Sequence, residues 1–327
     1  MLLSFQVQDI LSVPFGYVMD LFYRVTQNYG LATILFAACV CLLMHPLNVR
    51  NAISSHKRNR LEPYVSAIRA LYPKDIGMQN RMMEKMYEKE KVSLTGGCLL
   101  SIVPYFLLIP LFCVVYSPIR YVLHEGTETA QMLFNHIYEL KPELFDGCGG
   151  YWELATAKYI PQFAESIREK FPELREATIN GLDFNFIGLD LSSVPQLNFT
   201  KWGANNWANI GLFLMPILAV LAQMGPSIIS SIKGIIKILK SKKGDNVAQT
   251  AKISIMLPVM AVLLLVIGYQ TPAAISVYWI ARSVFSHLLN IHTSKKIAAI
   301  PPVCFTTDEL VAECSIHEDT GETEFAE

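Results

Sequence analysis

YGLATILFAACVCLLMHPL at residues 29–47 and CLLSIVPYFLLIPLFCVVY at residues 98–116 contain no charged side chain. Each matches the ~20 predominantly apolar residues needed to cross the hydrocarbon of a bilayer. Between them, residues 48–91 carry ten Lys or Arg against five Asp or Glu. Such a segment cannot sit in lipid, so the pattern reads as two membrane spans joined by a basic hairpin on one face of the membrane.

The rest of the chain fits that reading. Of 327 residues, 52% are hydrophobic and 17% charged, with a mean hydropathy of +0.33. This excludes disorder and points away from a soluble globular fold. Three further apolar stretches follow, at 207–229, 253–269 and 272–291, each long enough to cross with some tilt. The expected fold is therefore an all-α integral membrane protein with five transmembrane helices. An acidic insert at 117–206 holds twelve Asp or Glu and seven Lys or Arg, and a loop at 230–252 holds six Lys and one Asp. Positive charge collects on the cytoplasmic side. The hairpin at 48–97 and the 230–252 loop are thus assigned to the cytoplasm, the insert and the N-terminus to the outside, and the C-terminus to the inside.

The ends read differently from the spans. Asp9, Pro14 and Asp20 interrupt the apolar run of residues 1–28, and no basic region precedes it, so it lacks the form of a cleavable signal. Its loose alternation of apolar and polar residues is that of an amphipathic helix lying along the outer membrane face. From Ile297 onward the sequence has eight Asp or Glu and no Lys or Arg, and residues 292–327 read as an acidic, disordered cytoplasmic tail. Seven Cys occur without paired spacing, suggesting neither a zinc site nor a disulfide framework. No HExxH, GxxxxGK[ST] or GxSxG motif is present, and the reading is of a non-enzymatic protein without cofactor or metal.

The cytoplasmic segment divides into two helices at Tyr72-Pro73-Lys74-Asp75-Ile76-Gly77. Leu61, Tyr64, Ile68 and Leu71 share one face of the first, and Met78, Met82, Met86 and Tyr87 roughly share one face of the second. Two outcomes are open for these faces. They pack on each other, or Met78, Met82, Met83 and Met86 form an adaptable docking surface for hydrophobic partners. Lys57, Arg58, Arg60 and Arg69 form a basic face suited to anionic lipid headgroups or ribosomal RNA.

Three stretches carry a family resemblance. They are Asn28-Tyr29-Gly30-Leu31-Ala32-Thr33-Ile34-Leu35-Phe36 running to Pro46-Leu47; Val92 through Gly96-Gly97-Cys98 to Pro104, Pro110 and Tyr116; and Pro272-Ala273-Ala274-Ile275-Ser276-Val277-Tyr278-Trp279-Ile280. A fourth, Asp183-Phe184-Asn185-Phe186-Ile187-Gly188-Leu189-Asp190-Leu191, precedes the third span. In order and spacing the chain resembles the YidC/Oxa membrane protein insertases, outside the insert and tail. The resemblance implies five helices around a hydrophilic groove open to the cytoplasm and lipid. It implies a bacterial cytoplasmic membrane location. It also implies nascent membrane proteins as substrates, handled without nucleotide hydrolysis, with the ribosome and the secretory translocon as candidate partners. Two groove positions depart from the family pattern: Cys41 stands where the first core helix usually carries a positive charge, and Leu108 where a Gln is often found.

Arg282 is the only Lys or Arg inside any of the five spans. Ten residues after Pro272, it lies ~15 Å deep in a ~30 Å core, and Cys41, twelve residues from Tyr29, lies at ~18 Å. The expectation is that the groove's positive charge has moved from the first helix to the last. Tyr278, Trp279 and Ser286 share the face of Arg282, a spacing that permits a cation–π contact. Gln223 either lines the inner mouth of the groove or bonds to a neighbouring helix. His45 reads as an interfacial hydrogen-bonding residue, and Asn198-Phe199-Thr200 matches a glycosylation sequon only formally. The competing reading is a small-solute or anion transporter using Arg282 as its binding charge; inverted internal repeats would favour it, and none are found.

Overall fold

The computed structural model describes residues 9–92, 109–146, 148–196, 206–240, 247–303 and Glu309. Helices account for nearly all regular structure: α1 (Asp9–Thr26), α2 (Tyr29–Leu71), α3 (Ile76–Lys89), α4 (residues 109–116), α5 (Pro118–Tyr121), α6 (Thr127–Leu140), α7 (Trp152–Tyr159), α8 (Ala164–Lys170), α9 (Glu176–Ile179), α10 (Asn206–Lys240), α11 (Val247–Gln270) and α12 (Ala273–Ala298). One antiparallel pair, β1 (Asn185–Phe186) and β2 (Leu189–Asp190), precedes α10. The chain divides into two compact units, Met1–Cys41 with Phe106–His287 and Leu42–Tyr105 with Leu288–Glu327.

Several helices run past the limits that apolarity marks. α2 does not end near Leu47 but continues through Pro46 and Pro63 to Leu71. A proline in a helix removes one N–H and bends the chain, yet nothing after Pro46 supplies a stop. Val49, Ala52, Ile53, Lys57 and Arg58 simply extend the helix as a charged stalk. Similarly, α10 reaches Lys240 and α11 starts at Val247, so helix fills most of the expected 230–252 loop. The change from apolar to basic composition there reports solvent, and the backbone continues across it.

Among the described residues, Tyr29–Leu71 and Trp207–Gly225 are long and apolar enough to cross a membrane, and Pro258–Gln270 is a shorter apolar helix. Their exposure supports lipid as solvent. Leu42 and Leu43 on α2, Leu218 and Leu221 on α10, and Val259, Val262 and Leu263 on α11 all present large apolar side chains at the surface. Exposed apolar side chains in such number are unfavourable in water and favourable in hydrocarbon.

In the second unit, α2 beyond Leu42 and α3 form a hairpin. Asp75 caps α3 by accepting the Met78 N–H at 2.9 Å. Leu61, Val65 and Ile68 then meet Met78, Met82, Met86 and Val92 in one core, with Tyr64, Met83, Tyr87 and Val303 packed around it. This corrects the docking-surface alternative: Met78, Met82 and Met86 are buried, Met82 and Met86 completely. Their i, i+4, i+8 spacing meets a complementary row on α2, and burying both is worth more than exposing either. Leu71, on the same predicted stripe, is exposed where the helix ends.

In the first unit, α1 packs on the start of the insert. Tyr121 donates its hydroxyl to Asp9 at 2.7 Å, the His124 ring stacks on Tyr17 with centroids 4.0 Å apart, and His124 Nε2 lies 3.1 Å from Asp20. Ile10, Val13, Leu21 and Val25 stay exposed away from that contact, and Tyr17 is exposed beside it. The insert is a set of short helices. Pro161 sits in a 3-10 turn at Ile160–Phe163, so the helix-compatible run 151–171 is divided between α7 and α8. Glu153, 3% exposed, accepts from the Arg120 backbone N–H at 2.9 Å and from its Nε at 3.0 Å. Burial pushes the Glu153 carboxyl up, and the Arg120 charge opposes that shift.

Candidate functional site

The site is one face of α12. At 100° per residue, Tyr278, Arg282 and Ser286 form an i, i+4, i+8 row with Trp279 beside it, and Ser276 and Ser283 share a second face about 100–120° round the helix. Tyr278, Trp279, Ser276 and Ser283 are buried, whereas Arg282 and Ser286 are half-buried. The hydroxyls of Ser276, Tyr278 and Ser283 are buried without a hydrogen-bond partner among the described residues. Each such group costs about 1–3 kcal/mol when left unpaired, so three of them make this stretch of α12 polar inside an otherwise apolar helix. Ser276 and Ser283 escaped the sequence reading, although a serine seven residues after another in an apolar span already marks a shared face.

Three helices meet α12 around Arg282. From α2, Phe36 approaches the Tyr278 ring at 6.4 Å, and the Cys41 thiol donates to the Arg282 carbonyl oxygen at 3.5 Å. From α4, Phe112 packs edge-on against Trp279 at 6.2 Å. From α10, the Ala222 carbonyl oxygen lies 3.1 Å from His287 Nε2, which brings Gln223 to the same level, half-buried. Cys41 and Arg282, matched in depth by counting residues, are thus neighbours in space.

The cation–π contact that the spacing permits is not made. Among the described residues, the cations over rings are Arg120, Lys158 and Lys170. Tyr278 is packed inward against Phe36, and Arg282 is half-buried. It also has no acidic partner within the described residues, an arrangement that a buried cation tolerates only beside water or a polar ligand. Leu108, the other departing position, lies outside the described residues, as do Gly96-Gly97-Cys98, Pro104 and the sequon.

His45 and Arg58 belong to the second unit. The His45 ring lies 5.4 Å from that of His292. Lys57 donates to the Glu90 carbonyl at 2.8 Å, closing the hairpin, and Arg60 donates to the Pro301 carbonyl at 2.7 Å. Arg58 is half-buried and Arg69 exposed. Of the basic face, two members therefore bond to backbone carbonyls, and Arg69 projects freely into solvent.

The N-terminal ends of α2, α10 and α12 converge on residues 183–193. Ile187 and Gly188 both take positive φ, 55° and 76°, which makes the two-residue hairpin turn that the twist of an antiparallel pair requires. Gly30 at the start of α2 has no side chain, and Phe186 occupies the space a Cβ would need. The Tyr29 N–H bonds to the Asp183 carbonyl at 2.9 Å, and Asn28 Nδ2 reaches the Asn185 carbonyl at 2.7 Å. Ala273 and Ala274 donate their N–H groups to Ser193 and Leu191, 3.0 Å each, satisfying the first turn of α12.

A helical membrane protein with a cationic, hydroxyl-rich face on its last long helix is the class these features define. Residues 21–299 match the family described as 60Kd inner membrane protein. The chain belongs to that family, the YidC/Oxa family. It is similar to three proteins named membrane protein insertase YidC. That of Syntrophobacter fumaroxidans is 36% identical over 103 residues, 32% of this chain and 18% of the relative. That of Lawsonia intracellularis is 29% identical over 137 residues, 41% of this chain and 25% of the relative. That of Rickettsia felis is 32% identical over 125 residues, 38% of this chain and 21% of the relative. The chain spans 18% to 25% of the length of these relatives.

Proposed function

We propose that the chain is a non-enzymatic membrane protein insertase and chaperone of the bacterial cytoplasmic membrane. It guides hydrophobic segments of nascent proteins from the cytoplasm into the bilayer without nucleotide hydrolysis. In this reading five helices cross the membrane, at 29–47, 98–116, 207–229, 253–269 and 272–291. The N-terminus and the 117–206 insert lie outside, and the hairpin, the 230–252 segment and the C-terminus lie in the cytoplasm. α1 rests on the outer membrane surface through its exposed Ile10, Tyr17, Leu21 and Val25 stripe.

The observation that carries the proposal is the face of α12. Arg282 stands without an acidic partner among the described residues, beside Cys41 and one turn from the unpaired Tyr278 hydroxyl, on a helix that also carries the unpaired hydroxyls of Ser276 and Ser283. Such a surface lowers the cost of moving a polar or acidic flank part-way across hydrocarbon, while burial of the adjoining apolar segment supplies the driving force, on the order of 25 cal/mol per Å². Tyr278, Trp279, Ser286, Cys41, Leu108 and Gln223 form the groove with Arg282. Arg58 and Arg69 offer charge to anionic lipid and to the ribosome, and the secretory translocon is a further partner.

The test is insertion of a substrate with an acidic flank by Arg282→Ala in cells depleted of their own insertase. Wild-type chain restores insertion, and Arg282→Ala lowers it by about tenfold, the equivalent of ~1.4 kcal/mol. Insertion by Arg282→Ala at the wild-type level would remove the groove charge from the mechanism. Failure of the wild-type chain to restore insertion would remove the function.

A further inference from the structure

Of the helices that meet around Arg282, α2, α10 and α12 are held at their N-terminal ends by one short segment at the end of the insert, and α7, earlier in the insert, is tied to that segment. Asp190 organises it. Its Oδ1 accepts from Ser192 N at 3.0 Å and Ser192 Oγ at 2.6 Å, and its Oδ2 accepts from Ser193 Oγ at 2.5 Å and from Lys158 Nζ at 2.7 Å. Lys158 is on α7, inside the insert. The carbonyls of Leu191 and Ser193, on either side of these bonds, are the ones that receive Ala274 N and Ala273 N of α12. On the other strand, Asp183 and Asn185 hold Tyr29 and Asn28 at the start of α2. The turn between them, at Ile187, accepts the Trp207 indole N–H of α10 at 3.4 Å.

A residue with four donors on one carboxylate fixes its loop far more tightly than a turn alone would. The consequence reaches Arg282 through a rigid element, because Ala273 and Arg282 are on one unbroken helix. Likewise Tyr29 and Cys41 share α2. The spacing of the two N-terminal ends therefore sets the spacing of Cys41 and Arg282 further along.

We propose that Asp190 is a positioning residue of the groove, and that the Lys158–Asp190 pair lets the extracytoplasmic insert clamp α2, α10 and α12 in the arrangement that places Cys41 against Arg282. This rests on the insertase reading for its purpose, though its geometry can be tested alone. It gives the insert a task that its sequence does not reveal: it braces the groove from outside.

Native thiols provide the readout. Cys41 and Cys113 are both buried, on α2 and α4. The full chain in lipid nanodiscs is exposed to N-ethylmaleimide, and each cysteine is followed by peptide mass spectrometry. With Asp190→Asn and Lys158→Met, Cys41 labels about tenfold faster, the change that loss of one charge-assisted hydrogen bond produces. Cys113 keeps its wild-type rate, and Lys158→Arg, which retains the cation, leaves both unchanged. Wild-type protection of Cys41 in both variants would overturn the proposal, and so would a joint rise at Cys41 and Cys113, which marks general loosening. Where Asp190→Asn fails to fold, Lys158→Met carries the test. Faster Cys41 labelling in these variants together with full insertion by Arg282→Ala would retire the groove charge and leave the clamp standing.

Discussion

Met78, Met82 and Met86 on α3 and Tyr278, Arg282 and Ser286 on α12 follow the same i, i+4, i+8 spacing, and their fates are opposite. The methionine row finds Leu61, Val65 and Ile68 and disappears into a core. The α12 row, with Ser276 and Ser283 on a second face, keeps hydroxyls and a cation that the described residues do not satisfy. Spacing alone decides which side chains share a face. Whether the face is used up in folding or left over for a substrate depends on whether the same chain supplies its complement. An apolar row is easily matched by any apolar row, but a polar row in a membrane needs specific partners.

The comparison is most exposed at Met82. If its row is structural, Met82→Ala opens a cavity in the hairpin and costs about 2–5 kcal/mol. Hydrogen exchange across residues 61–92 reads this as loss of protection. Met83→Ala, at the half-buried margin of that core, costs far less. Equal and small effects for both would mean that the methionines are a surface after all.

The next largest effect concerns the charge. Arg282→Cys combined with Cys41→Arg exchanges two side chains that are neighbours in the structure. The exchanged chain recovers insertion of an acidic-flanked substrate that Arg282→Cys alone loses by about tenfold. Recovery would show that the groove requires a cation at this level and not a particular helix carrying it. An exchanged chain as inactive as the single variant would tie the charge to the face of α12, together with Ser276 and Ser283.

Much of this was legible beforehand, and what escaped did so for physical reasons. Apolar length marked the long helices at Tyr29–Leu71 and Trp207–Gly225, and equal depth along two helices brought Cys41 to Arg282, because a helix has a fixed rise per residue. Helix ends were less visible: α2 passes Pro46 and α10 passes Ile229 because the hydrophobic signal reports the solvent and not the backbone. The convergence at Asp190 was not readable at all. It joins Asn28, Lys158, Asp190 and Ala273, residues from four separate parts of the chain, and no local periodicity links them. Ser276 and Ser283 were readable in principle, since their spacing of seven places them on one face of the helix.

His136 sharpens the comparison from the other side, as a buried polar group whose partners are present. Its Nε2 lies 2.8 Å from Ser166 Oγ, and Lys170 Nζ lies 3.0 Å from its Nδ1. An ammonium can only donate, so Nδ1 must be bare and the Nε2–H donates to Ser166. Burial, and then the Lys170 charge, lower the imidazole below its ordinary 6.5, while Glu139 opposes them. A group lowered on folding in this way stabilises the neutral form: its contribution is complete above pH 6.5 and is lost as pH falls through the lower folded value. Protonation turns Nδ1 into a donor facing another donor, so Lys170 must leave. Hydrogen exchange of α6 and α8, corrected for intrinsic rates, therefore quickens modestly between pH 7.5 and 5, and His136→Gln removes that dependence. A response unchanged in His136→Gln would assign the acid sensitivity to another group. If wild type shows no response, the Lys170 contact adds no stability, and His136 is held by burial and Ser166 alone.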